Sequence, residues 1–251
     1  MNDLVPAYLY PVILGGTAAM IAGVLIGLNR SLKLAGWAES ESRPAFQRIS
    51  ILLVAWAVIA TVLSWFGAYQ GTPSGTPTIQ YGLVVPLLIG VVLYWRWPTL
   101  RRAVQAVPQS WLVGVQLYRL LGVIFLILYA QGRAPAAFAW PAGTGDFLVG
   151  LLAPIVAIAY ARKGTNAALW VRVWNWLGIT DLVVALTTGF LTSPSQLQRL
   201  AFDLPNNLIS AFPLVLIPVF LVPLSLLFHM ASLHKLSQAQ TRQTNPNPAL
   251  A

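Results

Sequence analysis

Long apolar stretches separated by short polar ones run the length of this chain. They fall at about 7–28, 48–69, 81–97, 111–131, 144–161, 170–190 and 212–234, the third being the shortest. At 1.5 Å rise per residue, about 20 apolar residues in a helix cross the ~30 Å hydrocarbon layer of a bilayer. A membrane barrel would instead need apolar and polar residues in alternation. Ile49–Leu63 and Leu214–Leu227 show no such alternation. Helices also close their own backbone hydrogen bonds, which lipid cannot do for them. The pattern therefore predicts an all-α, polytopic membrane bundle of seven transmembrane helices over residues 1–235. A disordered cytoplasmic tail over 236–251, rich in Gln, Thr, Asn and Pro, is expected to follow.

Composition agrees and excludes several classes. Only 8% of the 251 residues are charged and 57% are hydrophobic, with a mean hydropathy of +0.72. Soluble domains carry about 25% charge. A soluble enzyme, a disordered chain and a disulfide scaffold are thereby excluded. With no Cys there is no disulfide, iron–sulfur cluster or thiolate metal site. The net charge of +9 reads as membrane topology and not as nucleic-acid binding.

The basic residues sort by loop. Arg30, Lys33, Arg43 and Arg48 follow the first stretch; Arg96, Arg101 and Arg102 follow the third. Arg162, Lys163 and Arg172 follow the fifth, and Lys235 and Arg242 follow the last. The opposite loops hold Arg133 and Arg199. Positive residues stay in the cytoplasm, so the N-terminus is expected outside and the C-terminus inside. The first stretch lacks a preceding basic segment, its early charge being Asp3, and is expected to remain as a span. Tyr8, Trp65, Trp95, Trp111 and Trp140 sit near span ends, where amphipathic rings belong. Trp174 and Trp176 lie deeper and are candidates to face a cavity.

Charge within the spans is where function is sought, because it is costly there and usually faces the bundle interior. Arg119 falls inside the fourth stretch and Asp181 inside the sixth, at matching depths. They are expected to pair, with Gln116 on the face of Arg119 and Trp174 on that of Asp181. Such a pair either locks two helices together or binds a proton or a small polar substrate; the residues alone leave both open. Asp146 follows Pro141-Ala142-Gly143-Thr144-Gly145, which reads as a turn. It is expected at the outer mouth of the fifth span, as a helix cap or beside Arg133 in a vestibule. Pro213, Pro218 and Pro223 are expected to bend the seventh span. Leu197, Leu200, Ala201 and Leu204 read as a short interfacial helix.

Known chemistries find little support. Retinal needs a buried Lys, and Lys33, Lys163 and Lys235 all lie at or beyond span ends. His229 and His234 are five apart, so they do not converge on one ion. Both are expected near the cytoplasmic headgroups, away from Asp146, which leaves no Ser–His–Asp arrangement. No Walker or Rossmann loop occurs. The chain is expected not to be an enzyme, and no cofactor is readable. The expected partners are the bilayer and a small ion or small polar substrate, with no nucleic acid.

Two short matches permit a 3+1+3 repeat: Val85-Pro86-Leu87 with Val222-Pro223-Leu224, and Thr72-Pro73-Ser74 with Ser193-Pro194-Ser195. Their offsets differ, so an unduplicated chain is the simpler reading. Sugar-transporter and PQ-loop proteins share that layout, but Pro108-Gln109 falls in a loop here and not in a helix motif. The order Gln116-x-x-Arg119, Pro141-Ala142-Gly143-x-Gly145-Asp146, Val222-Pro223-Leu224 and His229 resembles a group of uncharacterised bacterial seven-helix integral membrane proteins over about 116–234. The resemblance implies a bacterial inner membrane and carries over no substrate or catalytic residue. The topology has a direct check: a reporter fused after Ala251 is expected to be active only in the cytoplasm, and activity only outside would invert the bundle.

Overall fold

The computed structural model describes residues 5–244, with side chains as far as Thr241. Its elements are α1 (Leu9–Leu34), α2 (Glu39–Trp65), α3 (Ile79–Arg96), α4 (Pro98–Ala106), α5 (Gln109–Gly114), a 3-10 segment (Val115–Gly122), α6 (Val123–Ala130), α7 (Ala136–Ala161), α8 (Ala167–Thr192), a π-helical turn (Ile217–Leu221) and α9 (Val222–Thr244). The fold is all-α. Seven helical spans are long and apolar enough to cross a membrane, with α5, the 3-10 segment and α6 forming the fourth. Large apolar side chains such as Ile51, Ile59, Leu88, Ile155 and Val183 face outward. A surface of this kind needs lipid around it, and the chain is a multi-pass membrane protein.

The helices end where backbone chemistry ends them. After α1, Gly36 takes a positive φ of 70° while Trp37 N–H donates to Leu32 O at 3.2 Å. Gly67 repeats the arrangement after α2, with φ 72° and Ala68 N–H on Leu63 O at 3.0 Å. This left-handed termination satisfies carbonyls the helix leaves open. Pro98 stops α3 and starts α4, since a proline restricts the residue before it and suits a first helical turn.

The seventh span lies at the centre: 67% of its most apolar window is buried, against 11% for α2. Its neighbours are held by small residues. A Cβ on Gly82 would meet Val219, and one on Gly90 would meet Leu227, so α3 and the seventh span run side by side in parallel. The two Val-Pro-Leu stretches thus belong to adjacent helices. The two Pro-Ser loops also touch: Gln196 N–H donates to Gly75 O (3.1 Å) and Gln196 Nε2 to Ser74 O (2.9 Å). On α7, a Cβ at Gly150 would stand 2.7 Å from Leu120 N, so α7 packs directly on the backbone of the 3-10 segment.

Four expectations change. The fifth span starts at Ala136, not near 144, because Pro135 opens the helix and the Pro-Ala-Gly-Thr-Gly stretch continues it. In lipid such small residues are helix-packing positions. Residues 197–204 form no helix; Arg199 and Leu200 N–H fold back onto Leu191 O at 2.9 Å each, and Ala201 takes a φ of 55°. The last helix runs to Thr244, so the expected disordered tail is helical over its first part, and 245–251 lie outside the described residues. Gln and Ala in that stretch continue a helix readily. The loop after α3 also holds the short helix α4. Lys235 Nζ donates to Gln105 O (2.6 Å) and Val107 O (2.5 Å) at its end, where a cation complements the helix dipole.

Close α7 packing gives a test. Gly150→Val pushes carbon into backbone that cannot yield. At a cost of about 1–3 kcal/mol, the thermal midpoint of the detergent-purified protein is expected to fall by roughly 5–10 °C. Gly15→Ala, where nothing lies within 4 Å of the new methyl, is expected to leave it unchanged.

Candidate functional site

The polar centre starts from a local departure in the fourth span. Residues 115–122 wind as a 3-10 helix, eight residues where such runs seldom exceed three or four. Positions three apart then eclipse, and Gln116, Arg119 and Gly122 are its buried residues. Gln116 Nε2 donates to Ser225 O (3.2 Å), and Ser225 Oγ donates to Gln116 Oε1. Tyr118 OH donates to Leu221 O at 2.9 Å, at the end of the π-helical turn. That turn contains Pro218 and is followed by Pro223, two residues without an N–H to give the helix ladder. The expected bend is therefore a change of winding, and side chains of the fourth span bond the carbonyls beside it.

Arg119 is 2% exposed and joins three further helices. Its Nε donates to Asp146 Oδ1 on α7 at 2.7 Å, and Nη2 donates to Asp181 Oδ2 on α8. Nη1 faces Gly178 O (3.4 Å) and His229 Nε2 on α9 (3.3 Å). The expected Arg119–Asp181 pair is present, and Gln116 flanks it. Asp146 is a correction. With α7 starting at Ala136, it lies well inside the helix and is 8% exposed, so it neither caps a mouth nor meets Arg133 in a vestibule. Arg133 N–H instead closes the turn after α6 on Leu128 O at 2.8 Å.

His229 is a second residue that sequence reasoning misplaced. It is fully buried beside Arg119, not at the headgroups, because the helix continues for more than three turns beyond it. Its hydrogen bonds fix its tautomer. Asn175 Nδ2 donates to Val171 O (2.7 Å) and Ser232 Oγ (2.8 Å), which leaves Asn175 Oδ1 to accept from His229 Nδ1 (2.9 Å). With the proton on Nδ1, the Nε2 lone pair faces the guanidinium. Ser232 Oγ also accepts from Gln109 Nε2 at 2.5 Å, so the polar chain reaches the first residue of the fourth span. Trp174 packs on His229 (ring centroids 5.0 Å) and donates Nε1–H to Val149 O (3.0 Å). It clamps α7 to α8 and is buried, while Trp176 points outward.

Glycines make the room. A Cβ at Gly122 would collide with the Asp146 side chain, one at Gly145 with Asp181, and one at Gly178 with His229. A further feature is charge. One guanidinium faces two carboxylates, and each carboxylate gives it one oxygen. Among the described residues no hydrogen-bond donor reaches Asp146 Oδ2 or Asp181 Oδ1. Two small cavities adjoin Asp146. One, of about 20 Å³, lies between the 3-10 segment and the π-helical turn, lined by Tyr118, Arg119, Gly122, Ile217 and Leu221. The other, of about 50 Å³, is almost wholly apolar and extends from Asp146 past Phe138 and Phe190 to Ser193 and Ile209. Those last two lie at the end of the bundle opposite the basic loops.

With this geometry in view, the match to known families is informative in one respect. Residues 76–237 match the family model described as Domain of unknown function (DUF8737). The chain belongs to that family. The match runs from α3 through about the first two thirds of α9, and so contains every residue of the polar centre. No curated protein and no solved structure matches the chain.

The centre predicts its own fragility. Arg119→Met strands two buried carboxylates, and removing one partner of such a group costs about 3–5 kcal/mol. Folded yield and thermal midpoint in detergent are both expected to drop sharply, whereas Arg162→Met, at an exposed position, is expected to leave them near wild type. An Arg119→Met protein as stable as wild type would show that the guanidinium does not hold these helices.

Proposed function

We propose that this protein is a small proton-linked transporter of a bacterial inner membrane, with its N-terminus outside and its C-terminus cytoplasmic. Arg119, Asp146 and Asp181 form its binding centre, oriented by Gln116, His229 and Trp174. The observation that carries the reading is the charge count at that centre. Two carboxylates and one guanidinium sum to −1, and an uncompensated buried charge costs several kcal/mol. Neutrality needs one further positive charge. A proton meets that need without coordination geometry, whereas a metal cation needs about six oxygen ligands. The 20 Å³ cavity has room for about one water, which fits a proton-carrying site.

Backbone geometry supports the same reading. Membrane transporters place binding sites near the midplane, where helices are interrupted. Here a 3-10 segment and a π-helical turn face one another across Asp146. Such interruptions mark hinges and functional sites more often than plain helix does. The bilayer and a small ion or small polar substrate are the partners this reading requires. It assigns no covalent chemistry and no cofactor.

A pH jump on protein adsorbed to a solid-supported membrane tests it. Wild-type protein is expected to give a transient charge displacement as the centre binds or releases its proton. Asp181→Asn is expected to lower that signal at least about tenfold, a factor worth 1.4 kcal/mol, with folded yield retained. A wild-type protein without the signal, or an Asp181→Asn protein that keeps it, would assign the cluster to helix locking. Should Asp181→Asn fail to fold, Asp146→Asn serves as the second variant with the same expected loss.

A further inference from the structure

The apolar cavity that reaches Asp146 has no part in holding the helices together, and its chemistry is specific. At its inner end stands one carboxylate, from a residue only 8% exposed, with an oxygen that no described residue bonds. Apart from Ser193 at its far end, its walls are hydrocarbon and aromatic, including Phe125, Phe138, Leu186 and Phe190. Phe125 and Phe138 meet edge to face, with centroids 4.9 Å apart. Asp146 is the one ionisable group among the lining residues.

This combination excludes several ligands by elementary chemistry. An anion would face a carboxylate. A metal ion would lose its water to walls with hardly any oxygen ligands to replace it. A sugar would leave its hydroxyls unpaired against phenyl rings. A protonated amine suits both parts. Its N–H groups donate to the carboxylate, its charge lies well over aromatic faces, and its alkyl part takes the apolar wall. Size narrows the class further. The cavity measures about 50 Å³, while a water needs ~10–15 Å³ by the same measure and benzene needs a cavity of ~150 Å³. Amines of one or two carbons fit; aromatic amines do not.

We infer that the cavity ending at Asp146 is the binding site for a small primary alkylammonium ion, of methylammonium to ethylammonium size, which enters from the end of the bundle opposite the basic loops. The inference rests on the proton-linked reading of the centre and extends it. The centre lacks one positive charge, so it holds either a proton or an alkylammonium and not both. Binding of the amine displaces the proton, and proton return displaces the amine. That is the stoichiometry of an exchanger. No bond is made or broken beyond the O–H of the carboxylic acid, whose proton leaves to water as the ammonium takes its place.

Proton release reads this exchange directly. Methylammonium chloride is added to the full-length protein in weakly buffered detergent at fixed pH. About one proton per chain is expected to appear. Asp146→Asn is expected to abolish the release. Gly189→Leu, which fills the cavity wall without touching a charge, is expected to raise the methylammonium concentration required at least about tenfold while keeping the pH-jump signal. Tetramethylammonium, which has no N–H to donate, is expected to release nothing. If methylammonium releases no proton while the pH-jump signal persists, the amine site is wrong and the proton-binding centre stands. If both signals are absent, both readings fall. Equal release by sodium chloride would overturn the amine in favour of an inorganic cation.

Discussion

The guanidinium of Arg119 is the constraint on which the rest of the bundle depends. It reaches α7, α8 and α9 from the fourth span through Asp146, Asp181, Gly178 O and His229. In lipid, apolar side chains gain little by leaving the solvent for a helix interface, so close packing and polar bonds must set the arrangement. The glycines follow from that. Gly122, Gly145 and Gly178 are empty where the charged side chains stand, and Gly150 brings α7 down onto the strand of backbone that carries Arg119. The 3-10 winding also follows, because it brings Gln116, Arg119 and Gly122 onto one line facing inward.

A second layer holds that centre in place. Gln116 and Tyr118 bond the carbonyls of the seventh span near its prolines, Trp174 ties α8 to α7, and Asn175 orients His229. Away from it, the outer helices carry little polar structure. α2 is mostly lipid-facing, and α1 meets the fourth span through a Gly-rich face, where a Cβ on Gly16 would strike Leu121 and one on Gly27 would strike Trp111. Specific chemistry is thus concentrated in α7, α8, α9 and the span that bears Arg119.

Much of this was legible in the chain itself. Seven spans stand out because apolar runs of such length have few other uses. Arg119, Asp181 and Gln116 stand out because a charge or amide inside an apolar run must find a partner. Asp146 was misplaced by its neighbours: Pro141, Gly143 and Gly145 read as a turn in water, whereas in lipid they pack and the helix runs through them. His229 was misplaced by a boundary. The hydropathy of the last span fades near residue 234, but backbone hydrogen bonding continues to Thr244, which leaves His229 deep in the bundle. The 3-10 winding has no sequence signal of its own and arises from a tertiary demand, the lining up of buried residues. The π winding follows from two prolines five positions apart, which signal a bend but not its form.

The hydrogen-bonded chain from His229 through Asn175 and Ser232 to Gln109 has the look of a conduit from the centre to the basic end. Its chemistry makes it the opposite. A carboxamide does not hand on a proton, and Asn175 Nδ2 is already committed to Val171 O and Ser232 Oγ. The chain therefore insulates. It bonds the polar side chains on that side to one another but gives no continuous proton path through them. The apolar cavity beside Asp146 lies on the other side and runs toward the end of the bundle away from the basic loops. On the proposed transport reading, Asp146 borders a cavity toward one end of the bundle while a chain that relays no proton runs from the centre toward the other, an asymmetry that a transport cycle would have to invert.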